Sequence, residues 1–128
     1  MQDNNIQYTT TNTTPMSKRI MKVVKADLTL LKSNPPLLVI NASGFVTTSG
    51  WTNGRLEPWY YIDFPTDGIQ DFDFVADSPP GITLQVISPI TATPAEWSDP
   101  PEKLKGVRIH AQSNKLEKLL GKSEKFTL

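Results

Sequence analysis

From Val23 onward, apolar and polar side chains alternate: Val24, Ala26, Leu28 and Leu30 against Lys25, Asp27 and Thr29. A period of two is what a strand with one buried face requires. Pro35-Pro36 breaks the pattern before a second, more apolar strand from Leu37 to about Val46, in which Gly44 signals a bulge or a close backbone approach. A loop follows, with Thr47-Thr48-Ser49-Gly50 and an Asn53-Gly54 turn signal. Tyr60, Ile62 and Phe64 then alternate with Trp59, Tyr61 and Asp63, and Pro65-Thr66-Asp67-Gly68 turns the chain. On the return, Phe72, Phe74 and Ala76 alternate with Asp71, Asp73 and Val75, which predicts a hairpin. Ser78-Pro79-Pro80-Gly81 leads into a further strand through Ile82, Leu84 and Val86. Four prolines between Ser88 and Pro101 remove ladder donors and predict an edge segment or an ordered loop. Val107, Ile109 and Ala111 mark the last clear strand.

The two ends read differently. Asn114 with Glu117 resembles a capping box, Leu116, Leu119 and Leu120 share one helical face, and Gly121 is a stop signal. These features predict a short C-terminal helix, followed by a terminal strand over residues 126–128. Residues 1–19 are rich in Gln, Asn and Thr, with only Ile6, Tyr8 and Met16 to bury, and predict a flexible polar arm. The expected fold is all-β: a single domain over residues 20–128, an antiparallel sandwich or small barrel of six to seven strands with that helix at its end. A chain of 128 residues suffices for one self-standing core.

Composition removes several function classes. Thirteen Lys plus Arg balance thirteen Asp plus Glu, so no basic excess exists to neutralise phosphates, and no nucleic-acid partner is expected. The absence of cysteine excludes disulfides, cysteine-ligated metals and thiol catalysis, and a single histidine excludes sites that need two. No cofactor is expected. The longest apolar run is Leu37 to Ile40, and the first residues carry no signal-peptide core, so neither membrane insertion nor export is expected and a cytoplasmic setting follows. Neutrality nevertheless hides segregation. Nine acidic residues and no Lys or Arg lie between Leu56 and Glu102, whereas Lys103 to Lys125 holds seven basic residues against two acidic. Such blocks either cancel by pairing between strands or present opposite faces that steer head-to-tail self-association or a protein partner.

Candidate chemistry centres on the predicted hairpin. If its alternate residues face the core, Trp59, Tyr61, Asp63, Asp71 and Asp73 stand outward together. Aromatic faces beside carboxylates suit sugar rings and suit partner proteins equally; the competing reading places these rings under the C-terminal helix. Trp51 and Arg55, in the glycine-containing loop, would decorate a binding edge. Asp63, Asp67, Asp71, Asp73 and Asp77 are hard oxygen donors, but no EF-hand spacing is present and no metal site is expected. Asp63 with Asp71 or Asp73 has the reach of a glycosidase pair, yet nothing marks one carboxyl for a raised pKa. His110 alternates outward beside Arg108, and no nucleophile elbow occurs. No catalytic residue is therefore assigned. The expected function is non-catalytic binding or assembly through the aromatic–acidic face, with a carbohydrate-binding module as first alternative and a small two-carboxylate hydrolase as second.

Overall fold

The computed structural model describes residues 16–81 and 83–121, and within them the chain is all-β. Nine strands are described: β1 (Ser17–Arg19), β2 (Lys22–Leu31), β3 (Leu37–Val46), β4 (Thr52–Pro58), β5 (Ile69–Asp77), β6 (Ser88–Thr91), β7 (Ala95–Ser98), β8 (Gly106–His110) and β9 (Lys115–Leu119). They form two sheets. In one, β4 pairs with one edge of β5, while β8 and β1 share the other edge and β9 follows β8; in the other, β2 pairs with β3, whose far edge carries β6 and β7. Both sheets contribute to one core, with Leu38 and Ile40 from β3 joined by Phe74 from β5 and by Val107 and Ile109 from β8.

The alternation in β5 and β8 places the expected residues inward: Phe72, Phe74, Ala76, Val107 and Ile109 are buried, as is Ala111 just past β8. In β2 the pattern holds from Ala26 onward but slips before it, since Val23 is buried and Val24 is exposed. The cause is a register shift between Val23 and Lys25, which inserts Val24 as an extra residue and reverses the phase. Gly44 of β3 lies opposite Val23, and a Cβ there would run into the Lys22 carbonyl, so only glycine allows this approach.

Several expectations are corrected. Of the polar arm expected over residues 1–19, residues 1–15 lie outside the described residues, but Ser17–Arg19 pair with β5. Of the strand expected through Ile82, Leu84 and Val86, Ile82 lies outside the described residues, residues 83–87 form no strand, and Leu84 and Val86 are exposed. The proline-rich stretch forms two short edge strands, β6 and β7, in keeping with the expected edge segment; β1, β4 and β9 are further strands that the pattern did not predict, and the described strands number nine. Pairing is not wholly antiparallel either, because β8 runs parallel to β5. After β5 the chain crosses to the second sheet, makes β6 and β7 there, and returns in the direction in which it left.

The C-terminal helix is also replaced by a strand. Residues 115–119 pair antiparallel with β8. Asn114 caps no helix: its Oδ1 accepts from Val23 N–H at 2.9 Å and its Nδ2 donates to Val23 C=O at 2.8 Å. The side chain thereby mimics a neighbouring strand at the bulge in β2, and Asn114 C=O closes the β8–β9 turn by accepting from Ala111 N–H. Local helix propensity is a weak preference that this pairing overrides. The expected terminal strand at 126–128 lies outside the described residues.

These two roles predict different substitution effects. Asn114→Ala should cost about 1–3 kcal/mol by leaving the Val23 backbone unpaired. Asn114→Ser should be destabilised to a similar degree, although serine is as good a helix cap as asparagine. Urea unfolding of both variants checks this, and a near-wild-type midpoint for Asn114→Ser would contradict the clamp.

Candidate functional site

The strand expected over Trp59–Phe64 is a loop, and this reorganises the predicted site. Pro58 is the last residue of β4, and beyond it the main-chain ladder is replaced by side chains. Trp59 N–H still donates to Asp71 C=O at 2.9 Å. Asp71 N–H, however, donates to the Tyr61 hydroxyl at 2.8 Å, and Gln70 Nε2 donates to Trp59 C=O at 2.8 Å. The loop can therefore leave the sheet without stranding backbone groups. Tyr60 and Ile62, expected in the core, are 90% and 102% exposed. The turn at Pro65–Gly68 does form, with Gly68 N–H donating to Pro65 C=O and Gly68 at φ 76°.

Asp71 was expected outward in solvent, but its side chain is only 8% exposed. It does lie on the outer face of its sheet, where three groups cover it. Tyr61 donates to Oδ2 at 2.6 Å, Arg108 Nη1 donates to Oδ1 at 3.0 Å, and His110 Nε2 meets the same Oδ1 at 2.7 Å. Burial alone would push this carboxyl up. The hydrogen bonds from His110, Tyr61 and Arg108, with the charge of Arg108, outweigh burial and hold it below the usual carboxylate range. Burial, together with the hydrogen bond to Asp71, pushes the Tyr61 phenol up to about 12. An ionised Asp71 only accepts, so the Nε2 proton of His110 points toward it. The imidazole in turn stacks against Trp59, with centroids 4.5 Å apart and planes 16° from parallel.

Thus Trp59, Tyr61 and Asp71 come together, and the remaining predicted residues do not. Asp63 is exposed and forms no hydrogen bond or ion pair with the described residues. Asp73 shares the outer face of β5 but is held by Arg19 at 2.8 Å. Arg55 pairs with Asp77 at 3.2 Å and with Glu57 at 3.1 Å, at the far end of β5, six residues or about 20 Å from Asp71. Trp51 packs against the core and donates its indole N–H to Thr48 at 2.9 Å. Asp67 also meets Arg108, at 3.4 Å, so four of these five aspartates are paired with arginines. Among the described residues, no group of three or more His, Cys, Asp or Glu side chains gathers to hold a metal. No helix among them is long and apolar enough to cross a membrane.

The inner side of the same loop borders a cleft of about 450 Å³ between the two sheets. Ile40, Leu56 and Phe72 are its buried lining; Trp59, Tyr60 and Tyr61 stand on one side, with Ala95, Glu96 and Trp97 of β7 on the other. Gln70 also lines it, with Nε2 taken up by the carbonyls of Trp59 and Asp71, which orients the amide and leaves Oε1 as an acceptor. Sequence reasoning missed Gln70, Glu96 and Trp97, assigned Tyr60 to the core, and read His110 and Arg108 as plain surface. Trp97 carried one usable signal, an aromatic within the proline-rich edge. The pairing of His110 with Asp71 carried none, because it depends on the parallel register of β5 and β8. Neither protein-family models, nor curated proteins, nor solved structures match this chain.

The pKa of Asp71 sets a pH dependence. Its folded value lies below the unfolded value of about 3.9. Its contribution to stability is therefore complete above that value and is lost as pH falls through the folded pKa. Asp71→Asn should lower stability at pH 7 by about 1.5–3 kcal/mol, the range for charge-assisted hydrogen bonds. It should also flatten the decline in stability on acidification, and urea unfolding at neutral and acid pH reads both effects. A variant with the wild-type acid slope would show that Asp71 is not the titrating group.

Proposed function

We propose that this chain is a non-catalytic binding module whose ligand, a segment of a protein partner, seats in the aromatic cleft between the sheets. The observation that carries this reading is five aromatic side chains, Trp59, Tyr60, Tyr61, Trp97 and the buried Phe72, around one open, largely apolar cleft. Two of them are fixed before any ligand arrives, Trp59 by His110 and its backbone bonds, Tyr61 by Asp71. Tyr60 makes no such bond and is almost wholly exposed. Rigid aromatic side chains lose little entropy on binding and are the commonest anchors of interfaces. An exposed aromatic patch of this kind is otherwise a liability for a folded domain.

The hydrolase alternative needs one carboxyl with a raised pKa and an unoccupied lone pair. Asp71 has the opposite shift and three donors on its two oxygens, and Asp73 is tied to Arg19. The carbohydrate alternative keeps one supporting feature, the presence of Gln70 and Glu96 in the same cleft lining as the aromatic residues. A cytoplasmic setting accords with a chain that has no cysteine.

Isothermal titration calorimetry against a panel of peptides and a panel of neutral oligosaccharides tests the reading. A ligand from the peptide panel should bind, with Trp97→Ala and Tyr60→Ala each weakening it roughly tenfold or more, as anchor truncations do. Trp51→Phe, remote from the cleft, should leave affinity unchanged. Heat only from the oligosaccharides would transfer the site to the carbohydrate reading, and silence from both panels would overturn the assignment of the cleft.

A further inference from the structure

The cleft lies between two strand edges. Among the described residues β4 pairs only with β5, and β7 only with β3. At one end the two sheets are tied together, where Thr93 N–H donates to Gly54 C=O at 2.8 Å. A Cβ on Gly54 would sit 2.8 Å from the Thr91 carbonyl oxygen, so the tie depends on glycine there. Past this tie the edges part. Leu56 and Pro58 then border the gap on one side, and Ala95, Glu96 and Trp97 on the other.

Successive side chains of a strand point to opposite faces. That three consecutive residues of β7 all line the cleft means that the cleft runs along the backbone edge of this strand, not across one of its faces. An unpaired edge of this kind is a template for another strand. The cleft also has a charge preference. Glu96 is its one charged lining residue among the described residues, its side chain is exposed, and it forms no ion pair with them.

We propose that the occupant is an extended peptide that adds to β7 as a strand and sets one arginine side chain against Glu96, on the face of β7 opposite Trp97. This rests on the reading of the cleft as the binding site. Arginine fits better than lysine because its planar guanidinium donates two parallel hydrogen bonds to a carboxylate. The four residues of β7 span about 13 Å, which sets the length of peptide recognised at about four residues.

The test is ¹⁵N NMR titration of the protein with an eight-residue peptide of alternating valine and threonine carrying one central arginine. Three further probes accompany it: the same peptide with citrulline for arginine, the same peptide N-methylated along its backbone, and a neutral tetrasaccharide. The arginine peptide should shift the amides of residues 95–98 and the indole signals of Trp59 and Trp97. Citrulline, or Glu96→Gln in the protein, should weaken it roughly fivefold or more, and backbone methylation should abolish strand addition. Equal affinity for the citrulline peptide, or for Glu96→Gln, overturns the proposal. Binding of the tetrasaccharide alone overturns it while leaving the cleft as a binding site. No response to any probe overturns both.

Discussion

The Asp71 carboxylate is the point on which the local architecture depends. A charge buried this far is tolerated only when its lone pairs are filled by well-placed donors. The donors come from two places distant in the chain, Tyr61 in the loop after β4 and the pair Arg108 and His110 on β8. Each donor is fixed in turn by the same bond. Tyr61 anchors a loop that has left the ladder, Arg108 reaches on to Glu117 of β9, and His110 supplies a flat surface for Trp59. The outward side of the loop is thus bound to the sheet, and its inward side is left to border the cleft.

The same logic explains how a chain with a long acidic block remains neutral in structure as well as in sum. β5 carries Asp71, Asp73 and Asp77 along one face, and a strand with that charge could not lie at the centre of a sheet unaided. Arg108 from β8, Arg19 from β1 and Arg55 from β4 meet the three carboxylates, one arginine from each neighbouring strand. Segregation along the sequence becomes pairing across the sheet, because acidic and basic segments are laid side by side. Glu96 stands outside this arrangement, on an edge strand beside the aromatic cleft.

Much of the strand framework was legible in the linear pattern, and its failures have definite causes. The inward residues of β5 and β8 follow from alternation, and the turn at Pro65–Gly68 from its residue types. The pattern at Trp59–Phe64 was just as regular, yet those residues form a loop: Tyr61 and Gln70 supply from side chains the hydrogen bonds that a paired strand would have made. At the C-terminus, a capping signal and leucines at helical spacing were overridden because β8 offered an edge and Asn114 found the Val23 backbone. Of the candidate site, Trp59, Tyr61 and Asp71 were identified, but for a shared exposed face that does not exist.

The sequence by itself determined the class of fold, the buried face of most long strands and the exclusion of cysteine chemistry, because these follow from period, residue type and count, which need no partner. Only the tertiary structure decided that β8 runs parallel to β5, that His110 meets Asp71, and that β4 and β7 part to leave an aromatic cleft. Each of these is a contact between residues far apart in the chain, where register and direction are set by the summed packing of both sheets, and no local pattern carries that information.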